Sequence, residues 1–141
     1  MRHVLVATHG RMAEGIKTSM EMISGPRENF TFINFYTDDK VDYEALIREY
    51  MEKPAEEDEI LICTDMFFGS VSQMFVPYLK RKNVYMLTGI NLPALLEVAF
   101  FEEALSKEVI EAFAKTGHQQ LYRVDVDKLA EAKEEDPEDF F

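Results

Sequence analysis

The tripeptide Thr8-His9-Gly10 stands where the apolar run Val4-Leu5-Val6-Ala7 gives way to an amphipathic pattern. In an α/β layout, the carboxyl end of a strand is where such folds put their chemistry. Histidine is the side chain best suited to accept and release a group near neutral pH. A second polar group follows the run Ile60-Leu61-Ile62-Cys63: Thr64-Asp65, then Gly69-Ser70-Val71-Ser72. A carboxylate that accepts from one imidazole N–H fixes the tautomer and leaves the other nitrogen as nucleophile, so His9 and Asp65 form a logical catalytic pair. Gly69-Ser70-Val71-Ser72 reads as a turn opening a helix, whose free N–H groups and serine hydroxyls suit an anion. A nucleophilic imidazole beside an anion cradle points to a transferable phosphoryl group. Taken singly, each residue has a plainer reading: His9 as a loop residue, Asp65 as a turn cap, Ser70 or Ser72 as an ordinary N-cap.

Four short apolar runs must position these residues: Val4–Ala7, Phe30–Phe35, Ile60–Cys63 and Val84–Leu87. Their near-continuous apolar character marks strands covered on both faces. Helical stripes lie between them. Met12, Ile16, Met20 and Ile23 lead to the stop signal Gly25-Pro26, and Ala45, Leu46 and Tyr50 form a second helix ending near Pro54. Val71, Met74, Phe75, Tyr78 and Leu79 form a third, which Pro77 should shorten or kink. Leu92, Leu95, Leu96 and Ala99 follow the fourth strand, and Leu105, Val109 and Phe113 lead to a stop at Gly117. The expected fold is α/β: an open doubly wound sheet of four parallel strands with right-handed crossovers. In the order 2-1-3-4, strands one and three are neighbours and His9 faces Asp65 across the switch point. Thr8, Gly10 and Asn91 lie at the same edge as supporting residues, with Gly10 permitting a tight turn after the histidine.

Leu121–Val126 alternates instead, which suits a C-terminal edge strand, antiparallel, that could pair with its own sheet or a neighbouring chain's. The domain is expected over 1–127. An acidic tail over 128–141 reads as a frayed, solvated segment ending in Phe140-Phe141. With 141 residues the chain has the length of one domain. Its net charge of −12 argues against a nucleic-acid partner. Cys63, in its apolar run, reads as a buried structural thiol. His3 reads as structural, and His118 as a capping residue at the opposite edge of the sheet from His9. Met12, Met20, Met22 and Met74 read as core filler. No signal peptide or membrane span is visible, so a cytoplasmic location is expected. There is no CxxC, HExxH, P-loop or GxGxxG pattern, and neither a metal nor another cofactor is expected.

From Arg2 to about Leu129 the chain resembles the IIA component of the mannose-type permeases of the bacterial phosphoenolpyruvate:sugar phosphotransferase system. The resemblance rests on Val4-Leu5-Val6-Ala7-Thr8-His9-Gly10, Met12-Ala13-Glu14-Gly15, Gly25, Thr64-Asp65 with Gly69-Ser70, Thr88-Gly89-Ile90-Asn91-Leu92-Pro93 and Thr116-Gly117. It implies that His9 takes a phosphoryl group from the phosphocarrier protein HPr and passes it to a histidine of a IIB component. Asp65 would orient the ring and Gly69–Ser72 would hold the phosphoryl oxygens. It also implies a homodimer that exchanges the last strand, with only peripheral association with membrane subunits. The sequence departs from the family pattern Asp-x-x-Gly-Gly-[Ser/Thr]-Pro at Phe68 and Val71, which stand where the second glycine and the proline are usual. Two other readings compete. A regulatory or interaction module would keep the fold and use phosphorylation as a signal, with Phe67-Phe68 as a binding surface. A receiver-like protein phosphorylated on Asp65 would need an acidic pair for Mg²⁺ after strand one, where Thr8-His9 stands.

Overall fold

The computed structural model describes residues 1–135. Strands β1 (Arg2–His9), β2 (Phe30–Phe35), β3 (Glu59–Thr64) and β4 (Val84–Thr88) form one parallel sheet in the order β2-β1-β3-β4. The order expected from the sequence is thus the order found. Side chains alternate across a strand, so β1 feeds two cores. Val4 and Val6 join Met20, Leu61, Cys63, Leu95, Val98 and Phe113 on one face. Leu5 and Ala7 join Phe35, Ile47, Met51, Ile62, Val71 and Phe75 on the other. Helices α1 (Met12–Ser24), α4 (Leu92–Phe100) and α5 (Lys107–His118) cover the first face. Helices α2 (Tyr43–Glu52) and α3 (Ser70–Phe75) cover the second. The crossovers that leave β1 and β3 therefore run on opposite faces, which makes the carboxyl ends of these neighbouring strands the switch point of the sheet.

Local chemistry sets the element ends. α2 and α4 start at Asp42 and Asn91, whose side chains accept from the N–H groups of Ala45 and Ala94. α1 stops at Gly25, which adopts φ +74. Pro77 ends α3 early, and the chain continues as a 3-10 turn over Val76–Lys80. At the amino edge Arg2 Nε and Nη2 both donate to Glu59 Oε2 (3.1 Å each), and Arg2 also reaches the carbonyls of Phe101 and Glu103. His3 pairs with Asp58 at 2.9 Å at this edge, in the structural role expected for it. Cys63 is fully buried, and burial pushes its thiol up to about 12.

Several expectations are corrected. α5 does not stop at Gly117 but runs through it. A side chain on Gly117 would meet Ala94 Cβ and Asn91 Oδ1, each at 3.3 Å, so this glycine permits close helix packing rather than a left-handed stop. Because α5 runs back alongside α4, His118 arrives at the carboxyl edge, beside Thr88–Asn91, and not at the opposite edge. Met20 is core, but Met12 and Met22 are exposed, since α1 buries only a narrow stripe.

Leu121–Val126 forms no strand. Residues 121–125 have no regular structure, and a helix, α6 (Val126–Glu135), begins where the strand was expected to end. Asp125 accepts from Lys128 N–H at 2.9 Å, and this capping contact precedes a run rich in Ala, Glu and Lys. With no sheet beside it, the alternating segment leaves Leu121, Tyr122, Val124 and Val126 exposed. α6 spans the expected boundary at residue 127 and gives regular structure to the first part of the acidic segment. The remainder of that segment, with Phe140 and Phe141, lies outside the described residues. No helix among the described residues is long and apolar enough to cross a membrane.

Candidate functional site

The site begins with the turn after β1. Thr8 is buried, and its hydroxyl accepts from Ala13 N–H at 2.7 Å, which fastens the start of α1. Gly10 adopts φ +57 and donates to Phe35 O at 2.9 Å. That left-handed residue swings the chain from strand to helix within two residues and leaves His9 at the sheet's carboxyl edge. β1 and β3 are paired with Ala7 opposite Thr64, so Asp65 leaves its strand next to His9.

Asp65 Oδ2 accepts twice from His9, from the backbone N–H at 2.9 Å and from ring Nδ1 at 2.8 Å. The Asp65 side chain is only 8 % exposed, against 38 % for His9. Desolvation, the largest influence on Asp65, raises its pKa. The two hydrogen bonds and the charge of His9 together outweigh it and hold the carboxyl below its ordinary 3.8. An ionised carboxylate only accepts, so Nδ1 carries a proton, and in the neutral ring the lone pair is then on Nε2. Ser70 Oγ lies 3.1 Å from Nε2 and donates to that lone pair in the neutral ring. The other carboxylate oxygen, Asp65 Oδ1, is buried with no hydrogen-bond partner.

Gly69 sets the distance between loop and ring. A methyl group there would meet Met66 Cβ at 3.1 Å and His9 Cε1 at 3.3 Å. The first helical hydrogen bond after it runs from Gln73 N–H to Gly69 O at 3.1 Å. The N–H groups of Ser70, Val71 and Ser72 precede that bond, as donors at a helix start do.

The expected phosphoryl-binding residues divide by side chain. Ser70 faces the imidazole. Val71 is wholly buried in the second core, which leaves only its backbone for a ligand. Ser72 is also buried, and its hydroxyl turns inward to Thr64 Oγ1 and Met66 O, both at 2.7 Å. The supporting residue Asn91 has its amide engaged elsewhere: Oδ1 accepts from Ala94 N–H and Nδ2 donates to Gly117 O at 2.7 Å, joining α4 to α5.

Two residues of interest had no place in the expected site. Tyr36 directly follows β2 at φ +64, with its ring 5.6 Å from that of His9 and its hydroxyl donating to Ser70 Oγ at 3.1 Å. The signal was available in its position, one residue past the strand that pairs Phe35 with His9. Phe68 also has a left-handed backbone, φ +56, at the position where glycine is usual. Phe67 and Phe68 lie 4.3 Å apart and are both 73 % exposed. The assembly can hold a neutral imidazole with a free Nε2, compensate positive charge on the ring, and offer hydroxyl and backbone donors to an anion. No group of three or more potential metal ligands is found among the described residues.

The chain is similar to several known proteins. Residues 3–116 match the family model described as PTS system fructose IIA component. The fructose-specific EIIA component of Bacillus subtilis is 27 % identical over 137 residues, covering 94 % of this chain and 92 % of that protein. The sorbose-specific EIIA component of Lacticaseibacillus casei is 31 % identical over 99 residues, 68 % of this chain and 70 % of that one. Among solved structures, phosphotransferase system component EIIA from Streptococcus agalactiae superposes with a TM-score of 0.68 at 28 % identity, covering 91 % of this chain and 99 % of that one.

Proposed function

The chain belongs to the mannose-type family of PTS IIA components that its sequence resembles, and from that premise we propose that it is a histidine phosphocarrier whose acceptor atom is Nε2 of His9. The observation that carries the reading is the Asp65–Nδ1 hydrogen bond of 2.8 Å, with Nε2 turned outward to Ser70. The Nε2 lone pair attacks phosphorus on the phosphohistidine of HPr, and the donor's P–N bond breaks, its electron pair returning to the donor nitrogen. His9 keeps its Nδ1 proton throughout, so the product is a phosphorylated imidazolium. Its positive charge is compensated by Asp65, in a setting organised before the reaction. The Ser70 hydroxyl and the N–H groups of Ser70, Val71 and Ser72 hold the phosphoryl oxygens, while the Gly69 N–H stays with Met66 O at 3.1 Å and Gly69 contributes by its lack of a side chain. The step reverses in form when a IIB histidine attacks the same phosphorus, and the membrane subunits then couple transfer to sugar uptake. The protein works in the cytoplasm as a homodimer. Exposed Leu121, Tyr122, Val124 and Val126 support an apolar contact with a second copy.

Incubation with phosphoenolpyruvate, enzyme I and HPr tests this. The wild-type protein should acquire an acid-labile, base-stable phosphate that chases onto a IIB component, and His9→Ala should acquire none. Equal labelling of His9→Ala would overturn the assignment. The exposed Phe67–Phe68 pair favours one alternative, a regulatory module of the same fold. Labelling that does not move onward to IIB, together with recovery of a regulator in a pull-down, would support that alternative.

A further inference from the structure

The residue that most resists explanation by packing alone is Tyr36. A bulky side chain at φ +64 is a backbone outlier, and such strain persists where surrounding contacts fix it. Here it turns the ring back over the end of β1, tilted 54° to the His9 imidazole, instead of continuing the line of β2. Tyr43 and Phe35 support the ring at 5.7 and 6.0 Å, yet Tyr36 remains half exposed. Its hydroxyl has two neighbours, Ser70 Oγ at 3.1 Å and the weak acceptor Met74 Sδ at 3.7 Å.

The donors and acceptors of this cluster fit one arrangement. Asp65 requires a proton on Nδ1, so in the neutral ring, the form that can attack phosphorus, Nε2 accepts and Ser70 must donate to it. Ser70 has a single proton, and its oxygen then accepts from Tyr36. A hydroxyl chain, Tyr36 to Ser70 to Nε2, thus occupies the reacting lone pair at rest. A phosphorus bonded to Nε2 would lie well inside the 3.1 Å at which Ser70 Oγ now stands, so Ser70 must rotate away on transfer. Both hydroxyl protons are then released towards the space that the phosphoryl oxygens enter.

We propose that Tyr36 is a positioning residue of phosphoryl transfer that becomes a ligand of the product. In the resting protein it orders Ser70 against Nε2; in the phosphorylated protein its hydroxyl donates to a phosphoryl oxygen. No proton changes owner: the two O–H groups only exchange acceptors, and the P–N bond forms as described above. The inference rests on the phosphocarrier reading.

The test compares wild-type, Tyr36→Phe and Ser70→Ala proteins in equilibrium with phosphorylated HPr, with ¹⁵N signals of the His9 ring recorded for the unphosphorylated forms. Tyr36→Phe keeps the ring and removes one donor to a charged group. Its phosphoryl-exchange constant should shift about ten-fold towards HPr, with unfolding little changed. The Nε2 signal should move in the direction seen for Ser70→Ala, a change that loss of packing alone would not produce. Wild-type values for both quantities in Tyr36→Phe, with His9 labelled normally, would overturn the role of Tyr36 and leave the phosphocarrier reading intact. Failure of the wild-type protein to be labelled at His9 would overturn both.

Discussion

Replacing Gly69 by alanine separates the fit of the site from the stability of the fold. Gly69 has φ −64 and ψ 159, a conformation that alanine adopts without strain. Gly→Ala at such a position stabilises by about 0.4–1 kcal/mol through the unfolded chain. Against this, the new methyl would meet Met66 Cβ at 3.1 Å, His9 Cε1 at 3.3 Å and Met66 O at 3.3 Å. Crowding of that degree costs about 1 kcal/mol, so the net change in stability should stay within about 1 kcal/mol of zero. The ring has less freedom to adjust, because Nδ1 is held on Asp65 at 2.8 Å. To restore ordinary carbon contacts it must retreat or rotate by about 0.4 Å. A misplacement of 1 Å can cost about a hundred-fold in rate, so a shift of this size should slow transfer about ten-fold. Rapid-quench phosphorylation by phospho-HPr gives the rate, and urea unfolding gives the stability. Transfer at the wild-type rate would refute the claim that Gly69 sets the ring's position. A loss of stability beyond about 3 kcal/mol would show that the loop, not the ring, absorbs the clash.

Three further outcomes follow from the same geometry. Ser72→Ala should destabilise the fold by about 1–2 kcal/mol, because Thr64 and Met66 lose a buried partner, while phosphoryl acceptance stays within about two-fold of wild type. The reverse pattern in urea unfolding and labelling would return the Ser72 hydroxyl to the site. Phe68→Gly should raise stability by about 0.5–1 kcal/mol by relieving φ +56, less glycine's entropic cost, with little buried area lost from a residue 73 % exposed; a lower urea midpoint would contradict this. Folding favours the ionised form of Asp65, so its contribution is complete above the ordinary carboxylate value and is lost as pH falls below 3.8 through its lower folded value. Asp65→Asn should therefore flatten the acid limb of the stability–pH curve in that window and slow phosphoryl acceptance. An unchanged limb would remove Asp65 from the account.

The sheet and its order were legible because four apolar runs without alternation leave little choice but a covered parallel sheet, and helices between them enforce crossovers. Strand order then brought His9 beside Asp65, a pairing of residues 56 apart in the chain. What escaped the sequence lay in orientation and in competition between local structures. Ser70 and Ser72 are alike in sequence, yet helical geometry turns one hydroxyl to the imidazole and the other to Thr64. The position of Tyr36, one residue past β2, places it at the same sheet edge as His9, but nothing in a tyrosine announces the left-handed backbone that turns its ring to the imidazole. His118 was misplaced because Gly117 looks like a helix stop, whereas its missing side chain serves contact with Asn91 and Ala94. Leu121–Val126 alternates like a strand, but Asp125 caps a helix and no strand lies beside the segment to select the extended form.

The central claim is that Asp65 reserves Nδ1 and commits Nε2 of His9 to the phosphoryl group. Phosphorylating ¹⁵N-histidine-labelled protein through phosphoenolpyruvate, enzyme I and HPr, then reading the nitrogen–phosphorus coupling, tests it directly. The account predicts coupling to Nε2 of His9, with the proton retained on Nδ1. Coupling to Nδ1, or phosphate on any residue other than His9, would contradict it.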